Sequence, residues 1–286
     1  MADTPAAGAQ TEAPWLRAAL IGLTLSVLLL LLGLPLLVVF AQAFSLGWSA
    51  YAQALADPEA RAAIELTLWL TLLTVPLSTI FGVAAAWALA RFRFRGRGLL
   101  LTLIDLPFAI SPVVVGLALI MLYGKFSPLG GWLIAHGLQV IFALPGMLLA
   151  TLFICVPFVA KQVLHHLEAQ AVDREEAAYT LGASPWSTFL RVTLPSIRAS
   201  LLSGVLLCSA RAMGEFGAVS VVSGHILGRT TTLPLQVENL YNEYNFQAAF
   251  AVASVLTLFG LLVLLIRSAM SWRQLRRQRL LRTELI

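Results

Sequence analysis

Six stretches of this chain are apolar for far longer than a soluble core could use: roughly residues 18–44, 64–90, 99–123, 140–164, 197–222 and 248–267. Each meets the requirement of about 20 residues for a helix that crosses the hydrocarbon core of a bilayer. Lipid offers the backbone no hydrogen-bond partners, so runs of this length must be helical. The alternating segments of about 9–11 residues that would signal a membrane β-barrel are absent from the sequence. Only 12% of the residues are charged, against about 25% in soluble domains. An all-α integral membrane protein with six transmembrane helices follows, its main partner the membrane lipid itself.

The net charge of +5 does not point to nucleic acid, because the basic residues sit at the ends of the apolar runs, where headgroups and topology account for them. The first run follows a polar start with Asp3, Glu12 and Arg17. It is too long for the apolar region of a signal peptide, about 7–15 residues. Although Ala41-Gln42-Ala43 imitates a cleavage site, the run is expected to stay as a span. Cys155 and Cys208 both fall inside apolar segments and read as small hydrophobes rather than as a disulfide or metal site.

Lysine and arginine fix the orientation. Arg91, Arg93, Arg95 and Arg97 crowd the link between spans two and three; Lys161, Arg174, Arg191 and Arg198 flank that between four and five; Arg267, Arg273, Arg276, Arg277, Arg279 and Arg282 fill the end of the chain. The opposite side has Arg61, Lys125 and Arg229. Both termini and the link between spans four and five are therefore expected in the cytoplasm. The chain divides into a tail (1–17), a membrane domain (18–267) with a cytoplasmic element at 173–195, and a basic tail (268–286). Pro35, Pro76, Pro107, Pro112, Pro145 and Pro157 are expected to interrupt or bend four of the spans, either as packing geometry or to leave room for a central path. The sequence shows no internal repeat.

The cytoplasmic element is the most densely punctuated part of the sequence. Asp173 with Glu176 three positions on fits a capping box. Ala177 and Ala178 favour helix and leave a flat surface. Gly182 suits the left-handed residue that ends a helix, and Ser184-Pro185 starts another. Pro195 is expected to close the element before span five. Two short angled helices, a knob beneath the membrane, are predicted.

Here the chain resembles a known family. Glu176-Ala177-Ala178, then Gly182, then Val192-x-Leu194-Pro195 is similar to the EAA loop of the permease subunits of bacterial ABC importers, with Val192 where Ile is commoner. The run Ala210-Arg211-Ala212-Met213-Gly214-Glu215-Phe216-Gly217 through His225, and Tyr241-Asn242-Glu243-Tyr244-Asn245, resemble the sulfate/thiosulfate permeases, the W-type subunit in particular, with molybdate permeases as near relatives. The likeness covers the chain from about residue 60 onward.

The resemblance implies a type I importer permease fold with a cytoplasmic coupling helix between the fourth and fifth spans, in a bacterial inner membrane. Glu176, Ala177, Ala178, Gly182, Leu194 and Pro195 would belong to the element that docks on an ATP-binding subunit. Two such ATPase subunits, carrying ATP and Mg, a second, T-type permease and a periplasmic sulfate-binding protein would complete the complex. A molybdate or tungstate permease working as a homodimer is the alternative. The residues agree in one respect: the chain contains no G-x-x-x-x-G-K-[ST] phosphate loop, so no cofactor is expected on it and it is not expected to be an enzyme.

Charges inside spans are expensive, about 2.5–3.5 kcal/mol each on insertion scales. Arg211 and Glu215, four apart, are expected on one face of span five, with Phe216 beside them. They either line a path or gate or form an intramembrane ion pair. Asp105 and Glu65 read as helix-end charges, and His165 and His166 as surface residues. In the outer link, His225, Arg229, Tyr241 and Tyr244 are candidates for contact with a binding protein, or else a solvated loop and interfacial anchors. A membrane-embedded enzyme fits poorly, since no nucleophile–base set or paired carboxylates converge. A passive channel would not need the knob.

Overall fold

The structure, a computed structural model, describes residues 14–170 and 173–283. The far N-terminal residues Asp3 and Glu12 and the basic side chains from Arg273 onward lie outside the described residues. The polypeptide forms helices α1 (Pro14–Leu28), α2 (Leu34–Ala43), α3 (Gly47–Ala56), α4 (Pro58–Arg91), α5 (Arg97–Ala109), α6 (Pro112–Tyr123), α7 (Pro128–Ala135), α8 (Leu144–Ala169), α9 (Asp173–Thr180), α10 (Pro185–Thr188), α11 (Leu194–Met213), α12 (Gly217–Ser223), α13 (Leu233–Asn242) and α14 (Phe246–Thr283).

Five stretches are long and apolar enough to cross a membrane: Trp15–Ala43, Pro58–Arg91, Leu144–Ala169, Pro185–Met213 and Phe246–Met270. The sixth, expected as one helix over 99–123, is a pair: α5 and α6 meet at a bend of 111°. Proline explains the break. Pro112 has no N–H, and its ring forces Ser111 out of the helical region (φ −59°, ψ 132°), with Ile110 extended before it.

The other prolines break nothing. Pro76 and Pro157 lie within continuous helices, and Pro145 sits in the first turn of α8, where a missing donor is harmless. Pro35 and Pro195 each follow a five-residue π-helical turn, Leu29–Gly33 and Phe189–Thr193. Widening the helix by one residue moves the preceding carbonyls away from the proline ring, and the chain stays helical. Pro195 therefore does not close the knob, as the sequence suggested it would. The second short helix runs through the π turn directly into span five.

The core is a three-helix stack in which α8 lies between α4 and α11. The buried residues of α4 form one stripe of mostly small side chains: Ala60, Ala63, Thr67, Leu70, Thr74, Ser78, Gly82, Ala86 and Leu89. A Cβ on Gly82 would come within 2.9 Å of the backbone N of Ala160, and one on Gly204 within 3.2 Å of Val159 Cα. Small residues thus let two helices grip α8 at one level. That is how spans associate when lipid removes the hydrophobic drive between them. Cys155 and Cys208 are buried free thiols in this core. Trp15–Ala43, by contrast, exposes nearly all its apolar side chains and touches the bundle mainly through Ala43 and α14.

Candidate functional site

The knob between spans four and five is built as expected at its tip. α9 ends in a Schellman motif: Ala183 N–H donates to the Ala178 carbonyl at 3.0 Å and Gly182 N–H to that of Tyr179 at 2.9 Å. Gly182 has φ +83°, a left-handed conformation that a side chain disfavours. Ser184 then accepts from the N–H of Ser187 and caps α10. Asp173, expected as a cap, is itself the first helical residue; position 172 lies outside the described residues. Glu176 and Ala177 are exposed and Ala178 half-buried, whereas Leu194 and Pro195 belong to the root of span five. Tyr179, Leu181 and Trp186 are exposed, Leu181 at 88%. The tip thus presents three large, mostly apolar side chains at the turn between two short helices.

The base of the knob depends on Glu175, which sequence reasoning passed over in favour of its neighbour Glu176. Glu175 is buried and paired with Arg91, the last residue of α4: Arg91 Nε donates to its Oε2 at 2.7 Å and Nη2 to Oε1 at 3.3 Å. Thr193 Oγ1 donates to Glu175 Oε1 at 2.8 Å, and Arg91 Nη1 to the Leu167 carbonyl at 3.1 Å. One turn earlier on α4, Trp87 packs on Phe189 with ring centroids 4.9 Å apart. The clamp thus ties α4, the end of α8, α9 and the π turn together. Its only sequence signal was the acidic pair itself; Arg91 is 84 positions away.

The second polar centre corrects an expectation. Span five does not run to residue 222. α11 stops at Met213, and Gly214-Glu215-Phe216 form a break before α12. Arg211 Nη2 still lies 2.7 Å from Glu215 Oε2, but across the break rather than along a helix face. Glu215 Oε1 accepts the N–H of Ala218 at 3.0 Å and so caps α12. Phe216 is exposed. This break meets the other one. A Cβ on Gly116 of α6 would fall 2.7 Å from Val221 Cβ and 2.9 Å from the Ala218 carbonyl oxygen, and one on Gly217 would fall 3.0 Å from Pro112 Cβ. Where they cross, a pocket of about 330 Å³ opens, lined by Arg211, Phe108, Ser111, Pro112, Ile154 and Phe158.

On the opposite end of the bundle the long link is not a loop. α13 buries Leu233, Leu235 and Gln236, Leu233 in a cluster with Ala60 of α4 and Val252 of α14 and Leu235 in one with Leu70 of α4, and its first turn donates the Leu233 N–H to Thr67 Oγ1 at 2.8 Å. His225 and Arg229 lie exposed in the turn before it, with Tyr241 in its last turn and Tyr244 just after it, both close to Phe246. The two groups are not brought into contact in the structure. Among the described residues no group of three His, Cys, Asp or Glu could hold a metal ion.

Comparison with known proteins places this geometry. Residues 78–275 match the family model of binding-protein-dependent transport system inner membrane components. The sulfate transport system permease protein CysW of Synechocystis is 50% identical over 254 residues, covering 89% of this chain and 92% of the relative. CysW of Escherichia coli K12 is 49% identical, covering 91% and 89%. CysT of the same strain is 36% identical, covering 85% and 88%. A crystal structure of a bacterial alginate ABC transporter, bound to a periplasmic protein that carries an alginate pentasaccharide, superposes with a TM-score of 0.74. It has 19% identity and the match covers 91% of this chain and 94% of that one, which speaks for the fold alone.

Proposed function

For a chain that belongs to the family of binding-protein-dependent inner-membrane transport components, with CysW-type sulfate permeases among its relatives, we propose the role of a permease subunit in a sulfate ABC importer. It is a multi-pass membrane protein that catalyses nothing itself. The observation that carries the reading is the knob: an exposed tip of Tyr179, Leu181 and Trp186 on a base clamped by Arg91 and Glu175. A connector needs neither.

In this reading the tip, with Glu176, Ala177, Ala178 and Gly182, docks on an ATP-binding subunit that binds ATP and Mg. Two such subunits closing on each other pull the knobs. The clamp passes the motion to α4 through Arg91, to α8 through the Leu167 carbonyl and to span five through the π turn. A T-type permease supplies the other half of the path, consistent with the CysT relative. A periplasmic sulfate-binding protein delivers the anion to the face with His225, Arg229, Tyr241 and Tyr244. Both termini and the knob face the cytoplasm. The two helix breaks beside Arg211, Glu215 and Phe216 form part of the gate, because a discontinuous helix can change its angle without unpacking the bundle.

The test is the ATPase activity of the co-purified complex in membranes, with and without sulfate-loaded binding protein, together with uptake competed by thiosulfate and molybdate. Stimulation by loaded binding protein and uptake of sulfate that molybdate does not displace are expected. Uptake that molybdate displaces and sulfate does not would overturn the substrate; failure to retain any ATPase subunit would overturn the role.

A further inference from the structure

Three ion pairs climb one side of the bundle. At the cytoplasmic end Arg97 Nη2 lies 3.1 Å from Glu168 Oε1. Further in, Lys161 Nζ lies 2.6 Å from Asp105 Oδ1. Arg211 and Glu215 follow at the helix break. The steps are regular because α5 and α8 run antiparallel. Arg97 to Asp105 on one helix comes to about 12 Å and Lys161 to Glu168 on the other to about 10 Å at 1.5 Å per residue. From Lys161 to Ile154, in the pocket beside Arg211, is again about 10 Å. Ile154, Phe158 and Lys161 share a face of α8, and Phe108 joins the levels: it packs against Phe158, lies 4.5 Å under Lys161 Nζ and lines the pocket of Arg211.

The pairs of Lys161 and Arg211 differ in kind from the clamp. Arg91 donates three aligned hydrogen bonds and is half-buried. Lys161 Nζ and Arg211 Nη2 each meet one carboxylate oxygen, at 2.6 and 2.7 Å. Side chains of Lys161, Asp105 and Arg211 are 48%, 58% and 33% exposed. Ionised groups inside spans do not face lipid at that exposure without a cost of several kcal/mol, so this face borders water or the second permease. A cation that spends one donor on its carboxylate keeps others for a second anion, which it holds briefly and does not trap.

We propose that Arg211 and Lys161 are two successive stations for a tetrahedral dianion such as sulfate on its way to the cytoplasm, with Arg97 at the mouth. The carboxylates Glu215, Asp105 and Glu168 compete with the dianion at each step, so that binding stays weak enough for release, as conduction requires. Asp105 is then a brake on its station rather than a structural partner. This deepens the proposed function and rests on it.

Radiolabelled sulfate uptake by the full complex in proteoliposomes, with saturating binding protein and only preparations that retain their ATPase subunits, tests the stations. K161Q is expected to slow uptake several-fold while K161R keeps most of it. D105N, which frees the lysine, is expected to retain sulfate longer: a lower half-saturating concentration with a lower maximal rate. The exchanged pair K161D/D105K is expected to remain as slow as K161Q. A purely structural ion pair predicts otherwise: K161Q and D105N both lower the maximal rate with no fall in the half-saturating concentration, and the exchange restores uptake. That result, or K161Q transporting as the wild type does, overturns the stations while leaving the importer intact. A wild-type complex that moves no sulfate overturns the importer reading first.

Discussion

At the scale of single residues, two neighbouring glutamates have opposite tasks. Glu175 is buried under Arg91 and Thr193, and Glu176 is exposed. Removing one partner of a buried ion pair leaves the other charge uncompensated, which costs about 3 kcal/mol or more. E175A is therefore expected to lower the melting temperature of the purified protein clearly, whereas E176A leaves it unchanged and affects only association with an ATPase subunit. Equal melting of the two variants would remove the clamp from the account. Gly116 is a second residue with a sharp expectation. A methyl there would meet Val221 Cβ at 2.7 Å and the Ala218 carbonyl at 2.9 Å, and backbone cannot yield cheaply. G116A should destabilise by about 1–3 kcal/mol, read as a fall in melting temperature, with G98A, which meets nothing within 4 Å, as the control. Glycine and the acidic motif were visible in the sequence; which glutamate is buried was not, because burial is decided by Arg91 in a distant segment.

At the scale of elements, the knob was legible because its signals are local. Gly182 ends a helix and Ser184-Pro185 starts one whatever lies nearby, and both appear as read. The capping role of Asp173 and the closing role of Pro195 were not borne out. A π turn can absorb a proline, and nothing in Phe189–Thr193 announces it. Pro112 was read as a point where span three bends or breaks, and it does; the break in span five was missed. Apolar length reports membrane depth and says nothing of continuity, although the glycines on either side of Glu215 carried the hint. The exposed tip gives this scale its prediction. L181D should abolish retention of the ATP-binding subunit in a pull-down without altering the melting temperature, since Leu181 touches little else at 88% exposure. Retention at the wild-type level would mean that the partner docks elsewhere.

At the scale of the whole molecule, composition and six apolar runs sufficed for an all-helical membrane bundle, and the family match and structural likeness agree. Orientation rests on arginine and lysine alone. It is tested by single cysteines at Leu181 and Tyr244, both highly exposed, in a chain whose own thiols are buried. An impermeant maleimide should label Y244C in intact cells and L181C only after the membrane is opened; the reverse would invert the topology. Outer contacts were harder to read, because polarity in the link suggested a loop where α13 packs through Leu233, Leu235 and Gln236.

The central claim is that nucleotide-driven motion enters through the knob and leaves as movement of sulfate. It is tested most directly by sulfate accumulated per ATP hydrolysed in proteoliposomes containing both permeases, two ATPase subunits and loaded binding protein. The wild-type ratio should fall steeply in G182V, because a β-branched residue cannot hold the left-handed turn at φ +83° and the knob loses its shape. A G182V complex that assembles and accumulates sulfate at the wild-type ratio would contradict the account.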